Sequence, residues 1–319
     1  MKLILFALIF ASLCLAETAP TPTREVAGFL FFGKKGGDRV SLVDEGMKRY
    51  AAGDCAGATT NLEAARVFET EKVTPWVQNV LYHAFLSCGQ ADKAQSVAEE
   101  IARNAPQESL SYLQLGVAEL WNKKYKPSIE NFKKALEFDG ASPRTHFYKG
   151  MAHGYLGESA AKEKEFGEAE KKYERILSRN PKDFTAHYEL ASLYLYWNKE
   201  TAKASRHVAS ARENLPTVAA DELGDEKRLM GQFHMPLLEG ILLYRAGENQ
   251  EAADRLRDTL AKAPSGARAE LAELFYYLGK SLQNLGESEK AKVALAKVTE
   301  LDPAGPYAYD AQKGVKKGK

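Results

Sequence analysis

A recurring spacing of 34 residues is the feature that most constrains how this 319-residue chain can fold. Trp76, Leu110 and Arg144 follow one another at that interval. Later in each period, a small residue precedes an apolar one by four positions and a helix-ending residue, usually proline, by twelve. These triplets are Ala58-Leu62-Thr70, Ala94-Ala98-Pro106, Ser128-Phe132-Gly140, Ala169-Tyr173-Pro181, Ala204-Val208-Pro216, Ala252-Leu256-Pro264 and Ala291-Leu295-Pro303. Self-similarity at this period indicates stacked units that bury their apolar faces against one another.

The residue types in the triplets suit pairs of packed helices. A small side chain lets two helices approach closely, an apolar residue four positions on lies on the same face, and proline ends the helix. Together with first-helix positions such as Leu115-Gly116, the pattern resembles the tetratricopeptide repeat family. The resemblance implies an all-α fold, a right-handed superhelical solenoid of about seven helix-turn-helix repeats.

The resemblance also divides the chain into segments. The repeats are expected at 39–72, 73–106, 107–142, 143–182, 183–216, 233–266 and 270–303. Repeats 1–5 thus fill 39–216 and repeats 6–7 fill 233–303, with an acidic linker or extra helix at 217–232 between them. The fourth repeat has about seven more residues than its neighbours between Leu156 and Phe166. We expect lengthened helices and a protruding hairpin tip there.

Residues 1–16 have the pattern of an export signal peptide. A charged start at Lys2 is followed by an apolar run, and small residues end it at Ala16. We therefore expect cleavage after Ala16 and a periplasmic or secreted mature protein. A lipid anchor on Cys14 is the less favoured alternative, because Leu13 is bulky where bacterial lipoproteins normally have a small residue.

Two further segments flank the repeats. Residues 17–38 are interpreted as a linker that contains the apolar segment Phe29–Phe32, which either caps the first repeat or binds elsewhere. Residues 304–319 form a lysine-rich tail with the composition of a solubilising chain end.

Charge and hydropathy argue against two classes of partner. The chain has 44 basic and 43 acidic residues, and the expected signal removes one basic residue, so net charge is near zero. Nucleic-acid binding depends on clustered positive charge, and none is expected here. After the signal, no stretch approaches the roughly eighteen apolar residues of a membrane span, so no direct span is expected.

Catalytic and metal-binding patterns are missing from the sequence. No nucleophile lies beside a histidine and an acid in a known arrangement. His146 and His153 are seven residues apart, about 10 Å along a helix, which is too far for one metal ion. We therefore predict a protein that is not an enzyme, with no cofactor and no metal.

The inner wall formed by the first helices is the expected protein-binding surface, since peptides bind there in the family that the chain resembles. Large side chains recur on it at the repeat spacing. They are Leu113, Phe147, Tyr188, Leu237 and Tyr276 in one row, and Trp121, Tyr155 and Tyr196 in a second. Aromatic residues concentrate binding energy at interfaces. Packing between neighbouring first helices is the alternative explanation for each of them.

These features together predict a scaffold or adaptor of the bacterial cell envelope. It would bind an apolar peptide or helix of an envelope protein in its concave groove. The alternative is an architectural subunit of a multi-protein envelope assembly, such as a secretion, pilus or motility machine, which would use its convex face and ends.

Two cysteines remain after the expected signal, which permits one disulfide in an exported protein. In the fold that the resemblance implies, Cys55 begins the second helix of repeat 1 and Cys88 ends the first helix of repeat 2. Those two ends lie side by side, so we predict a Cys55–Cys88 disulfide.

Overall fold

The computed structural model describes residues 37–51, 54–67, 74–215, 230–263, 268–302 and 307–316. Within these ranges the chain forms fifteen α-helices and no β-strand. The expected signal peptide 1–16, the segment Phe29–Phe32 and most of 217–232 lie outside the described residues.

Fourteen of the described helices form seven consecutive pairs. They are α1 (Gly37–Ala51) with α2 (Cys55–Val67), α3 (Thr74–Ser87) with α4 (Ala91–Asn104), α5 (Ser109–Trp121) with α6 (Tyr125–Phe138), α7 (Pro143–Tyr155) with α8 (Ser159–Arg179), α9 (Phe184–Trp197) with α10 (Thr201–Asn214), α11 (Met235–Ala246) with α12 (Asn249–Leu260), and α13 (Arg268–Asn284) with α14 (Ser288–Leu301). A π-helical turn, Met230–His234, precedes α11, and a last helix, α15 (Ala308–Lys316), packs on α14. The stack confirms the predicted all-α solenoid, and its seven pairs agree with the predicted count.

Glycines on the first helices let the second helices pack closely. A Cβ atom at Gly116 would lie 2.6 Å from the Phe132 ring, and one at Gly150 would lie 2.4 Å from the Phe166 ring. Both rings are buried at 0–1% exposure, so they have no space into which to move. The same close approach joins Gly46 to Leu62, Gly240 to Leu256, and Gly279 to Leu295. The repeating unit is therefore held by a small residue that faces a large one.

In the second repeat the large residue of this contact lies on the first helix and the small residue on the second. Tyr82 stands where five of the other six first helices have glycine, and Ala98 stands where the matching second helices have Phe or Leu. By the same spacing, repeat 5 has Ser192 and Val208 at these two places. The Tyr82 and Ala98 side chains are both fully buried. The Tyr82 hydroxyl donates a hydrogen bond of 2.8 Å to the carbonyl oxygen of Gln114. The larger residue thus links repeat 2 to repeat 3.

The extra length of the fourth repeat lies in its second helix. α8 has 21 residues whereas α6 has 14, and α7 has 13 residues like α5. The three-residue turn before α8 is as long as the turn before α6. The sequence from Ser159 to Arg179 is rich in Ala, Glu and Lys, so the helix continues until the chain approaches Pro181. The prediction of a protruding hairpin tip after Leu156 is therefore wrong.

Repeats 5 and 6 pack directly on each other, although 216–229 lie outside the described residues. α10 contacts α11. Arg245 donates from Nη1 to the carbonyl oxygen of Leu195 at 2.7 Å and to the Asn198 side chain at 2.9 Å. At the same junction Arg212 pairs with Glu239 at 2.5 Å. One buried apolar core therefore continues through all the described repeats.

Candidate functional site

The first helices of neighbouring repeats contact one another, as α5 does α7 and α11 does α13. In a stack of paired helices these helices line the inner, concave face, which is the surface that solenoid proteins use for binding. The predicted binding residues all lie on them.

Five of the eight predicted binding residues are buried in the protein's own core. Leu113 is 2% exposed, Trp121 8%, Phe147 4%, Tyr188 1% and Leu237 0%. Side chains this deeply buried have no surface left for a partner, so the interpretation of these five as an exposed wall is wrong. They pack between neighbouring helices, which is the alternative that their spacing left open.

Tyr155 and Tyr196 are half-buried and lie in one region of the inner face. The Tyr196 ring packs edge-on against Phe147, with ring centres 5.2 Å apart, and the Tyr155 ring lies 5.0 Å from that of Tyr125. The pKa of Tyr196 is raised well above its ordinary value, chiefly by burial and then by the Tyr155 phenol. The two tyrosines of the second row are therefore neighbours across repeats 4 and 5.

Tyr276 is also half-buried, but the C-terminal helix holds it. Its ring stacks on Tyr307 with centres 4.6 Å apart, and its hydroxyl donates to Asp310 at 2.7 Å. The structure thus assigns Tyr276 to the contact between α13 and the last helix, α15. Tyr276 is therefore separate from the pair Tyr155 and Tyr196.

Two carboxyl groups are buried on α13. Glu270 is 4% exposed and Glu273 is 0% exposed. One oxygen of Glu273 accepts a 2.7 Å hydrogen bond from the Tyr307 hydroxyl. The Oε2 atoms of both glutamates are buried without a hydrogen-bond partner. Burial raises the pKa of Glu270 to about 7 and that of Glu273 to about 8, so both carboxyls titrate near neutral pH.

The Glu273 carboxyl shares its region with tyrosines of repeats 4 and 5. Burial raises the pKa values of Tyr155, Tyr188 and Tyr196, and in each case the Glu273 carboxyl raises the pKa further. For Tyr188 the Glu270 carboxyl contributes in the same direction. Such electrostatic coupling requires the groups to lie within a few side-chain lengths of one another. The two buried acids of α13 thus add to the effect of burial on the pKa values of these tyrosines.

A separate buried ion pair joins repeats 4 and 5. Arg144 donates through Nε to Glu189, and both side chains are about 10% exposed. Burial, and then the positive charge of Arg144, lowers the pKa of His83 to about 4. His83 is therefore neutral at neutral pH, and the Arg144–Glu189 pair adds no net charge to the inner face.

The sequence reasoning missed these charged residues, although it contained a signal for them. Arg144 and Glu273 each lie six residues before the packing glycine of a first helix, Gly150 and Gly279. Other first helices have Leu110 or another uncharged residue at this position. A charge at a position that faces the inside of a stack indicates either a buried pair or a binding site.

The structure contains a disulfide between Cys55 and Cys88, with Cα atoms 5.6 Å apart. Cys55 is the first residue of α2, and Cys88 directly follows α3. The bond therefore crosses from repeat 1 to repeat 2.

Neither a metal-binding cluster nor a membrane-crossing helix is found in the described ranges. Over these residues, no three His, Cys, Asp or Glu side chains come together in a way that could hold a metal ion. Over the same ranges, each helix is too short or too polar to span a bilayer.

Known proteins support the assignment of the fold. Residues 155–219 and 272–304 match the tetratricopeptide repeat family. No curated protein shows significant sequence similarity to the chain. The crystal structure of a tetratricopeptide repeat protein from Parabacteroides merdae is similar at 14% identity and a TM-score of 0.52. That similarity covers 89% of this chain and 99% of the other.

A second similar structure is a chain of the APC/C hetero-tetramer Cut9–Hcn1, with 12% identity and a TM-score of 0.62. The similarity covers 92% of this chain and 52% of the other. At such identities the likeness concerns the fold alone. The class that the fold defines is the α-solenoid. In residues 155–219 and 272–304 the chain is similar to tetratricopeptide repeats, a family whose members commonly mediate contacts between proteins and are generally not catalytic.

Proposed function

We propose that this protein is a non-enzymatic scaffold or adaptor of the bacterial cell envelope that binds a largely apolar peptide or helix on its inner face. The observation that carries the proposal is the pair of half-buried tyrosines, Tyr155 and Tyr196, on neighbouring first helices of a repeat stack. Partly exposed aromatic rings offer a large contact area at a small cost in side-chain entropy.

The Cys55–Cys88 disulfide supports the envelope location. Disulfides persist in oxidising compartments such as the periplasm and are rare in the bacterial cytosol. The export signal expected at residues 1–16 agrees with this location.

A pull-down from a bacterial envelope extract, using the purified mature protein as bait, tests the proposal. Tyr155→Ala and Tyr196→Ala proteins should remain folded and capture at least about tenfold less partner, a loss typical of an interface hot spot. Tyr112→Ala is the matched control, because Tyr112 is also half-buried on a first helix but stacks on the exposed Phe138. Full capture by both inner-face variants would contradict the proposal.

A second candidate function is that of an architectural subunit which uses its C-terminal end. Val293 on α14 is 67% exposed and Tyr309 on α15 is 70% exposed, so this end presents apolar surface. The same pull-down separates the two functions. Loss of capture with Tyr309→Ser but not with Tyr196→Ala would favour the architectural role.

A further inference from the structure

The last described helix, α15, takes the place of a first helix in the stack. It packs on α14, as each first helix from α3 onwards packs on the second helix before it. Two hydrogen bonds to α13 join residues that are 34 positions apart, which is the repeat spacing. Tyr307, directly before α15, donates to Glu273 at 2.7 Å, and the Tyr276 hydroxyl donates to Asp310 at 2.7 Å. α15 is therefore in register with the first helices.

In the complete pairs of repeats 3–5, a side chain near the start of the first helix contacts the second helix of the same pair. These side chains, each four residues after the N-cap of its helix, are Tyr112, His146 and His187. The Tyr112 ring stacks on Phe138 of α6, with ring centres 5.7 Å apart. His146 is hydrogen-bonded to Glu165 of α8 at 2.7 Å. His187 is hydrogen-bonded to His207 of α10 at 2.9 Å. This position therefore marks the side of a first helix on which its second helix lies.

Tyr309 is the equivalent residue of α15, and its side of the helix is open. It lies 34 positions after Phe275, which precedes a packing glycine by four residues as Tyr112 and His146 do. Tyr309 is 70% exposed, so no helix in the described part of the chain covers its ring. The Nζ atom of Lys313, one turn later, lies 4.2 Å from the centre of this ring. Tyr309 and Lys313 therefore share the face on which a second helix would pack.

The charge of this face determines the kind of helix that fits it. Lys313 lies 34 positions after the packing glycine of α13, so a lysine stands where complete pairs have their closest contact. Residues 311–319 contain four lysines and no acidic residue. Asp310, the one acid of α15, is bonded to Tyr276 and Lys280 of α13. A helix that packs here must therefore offer a carboxylate to Lys313 beside an apolar side chain for Tyr309.

We propose that α15 pairs with an acidic amphipathic helix of another protein, which packs on Tyr309 and Lys313 as a second helix packs on a first. An apolar side chain of the partner covers the Tyr309 ring, and a carboxylate forms an ion pair with Lys313. This inference deepens the second candidate function, the architectural role of the C-terminal end. It does not depend on the inner-face tyrosines.

Fluorescence anisotropy with two labelled peptides tests the inference on the full mature chain. Both peptides have the sequence of α6 with blocked ends, because Phe138 of α6 stacks on Tyr112, the equivalent of Tyr309. Two of its residues are changed, because Phe132 faces the packing glycine and Lys134 lies over the Tyr112 ring. The acidic peptide carries Phe132→Glu and Lys134→Glu, and the basic peptide carries Phe132→Lys. We expect the acidic peptide to bind at least about tenfold more tightly at low salt.

Tyr309→Ser should weaken binding of the acidic peptide by about tenfold, and Lys313→Glu should reverse the preference between the two peptides. Phe138→Ser in the full chain is the matched control, because Phe138 is an aromatic residue of α6 that is 48% exposed, and this variant should bind like the wild type. Equal binding of the peptides, no binding of the acidic one, an unchanged preference in Lys313→Glu, or an equal loss in Phe138→Ser would overturn the inference. The pull-down with Tyr155 and Tyr196 variants does not use these peptides, so the inner-face proposal could stand after such a result.

Discussion

Gly150 lies against Phe166 at a distance that leaves no space for a methyl group. Alanine normally stabilises a helix interior by about 1 kcal/mol relative to glycine. At this position overpacking of about 1–3 kcal/mol should exceed that gain, so Gly150→Ala should lower the free energy of unfolding. Gly154→Ala is the control on the same helix, because Gly154 is exposed and meets only the flexible Lys162 side chain. Urea unfolding should show opposite signs for the two variants; equal signs would contradict the packing argument.

Glu270 and Glu273 should make the protein less stable as pH rises. Their pKa values in the folded state, about 7 and about 8, exceed the ordinary value of 4.5, so the folded chain binds more protons between these limits. The free energy of unfolding therefore falls through this window, by up to about 1.4 kcal/mol per pH unit for each group. Glu273→Gln removes one of the two contributions.

The comparison of wild type with Glu273→Gln isolates this carboxyl. Burial lowers the pKa values of His83, His207 and His234 to about 4, and these histidines affect both proteins in the same way. The variant should gain stability relative to wild type as pH rises from about 5 to 9 in urea titrations. A difference that stays constant over this range would show that Glu273 has an ordinary pKa.

At the scale of helices, the Cys55–Cys88 disulfide, with a sequence separation of 33 residues, adds a covalent link between α2 and the end of α3, which also pack on each other. Closing a loop of this size stabilises a protein by about 3 kcal/mol in the chain-entropy model. We expect mass spectrometry of protein purified from the periplasm to show no free thiol, and reduction to lower the melting temperature. Cys55→Ser is the control, since reducing agent should not affect it. Two free thiols in the periplasmic protein would refute the prediction.

The helix pairs could be predicted from the sequence because their signal is local. Small-to-large spacings such as Ser128 to Phe132, together with the prolines, define each second helix independently of its neighbours. The binding wall could not be predicted in the same way. Trp121 and Tyr155 each lie five residues after the packing glycine of a first helix, yet one is buried and the other half-buried. Burial of such a residue depends on how closely neighbouring repeats approach, and the spacing of one helix does not contain that information.

The buried acid of the inner face could not be predicted from the sequence for a related reason. Glu273 looks like a solvent-exposed acid in a charged helix sequence, yet it is buried and accepts a hydrogen bond from Tyr307, which directly precedes α15 and is 34 residues later. The electrostatic neighbours of Glu273 come from three other helices, α7, α9 and α11. A single sequence cannot show which repeats a superhelix brings together.

At the scale of the whole molecule, the junction between repeats 5 and 6 decides whether the stack unfolds as one unit. Each repeat contacts mainly its neighbours, so cooperativity depends on every interface in turn. Arg245 crosses this junction with two hydrogen bonds from one charged nitrogen, to Leu195 and Asn198. Hydrogen bonds of charged groups contribute about 1.5–3 kcal/mol, which is enough to couple the two sides.

Arg245→Gln should therefore uncouple repeats 6 and 7 from repeats 1–5. Hydrogen exchange measured during urea unfolding should give coincident transitions for α5 and α13 in the wild type, and an earlier transition for α13 in the variant. Arg212→Gln is the control, because the Arg212 side chain crosses the same junction but is 44% exposed in its pair with Glu239. An exposed ion pair contributes at most about 1 kcal/mol, so this variant should unfold like the wild type. Coincident transitions in Arg245→Gln would mean that apolar packing of α10 on α11 is sufficient to couple the repeats.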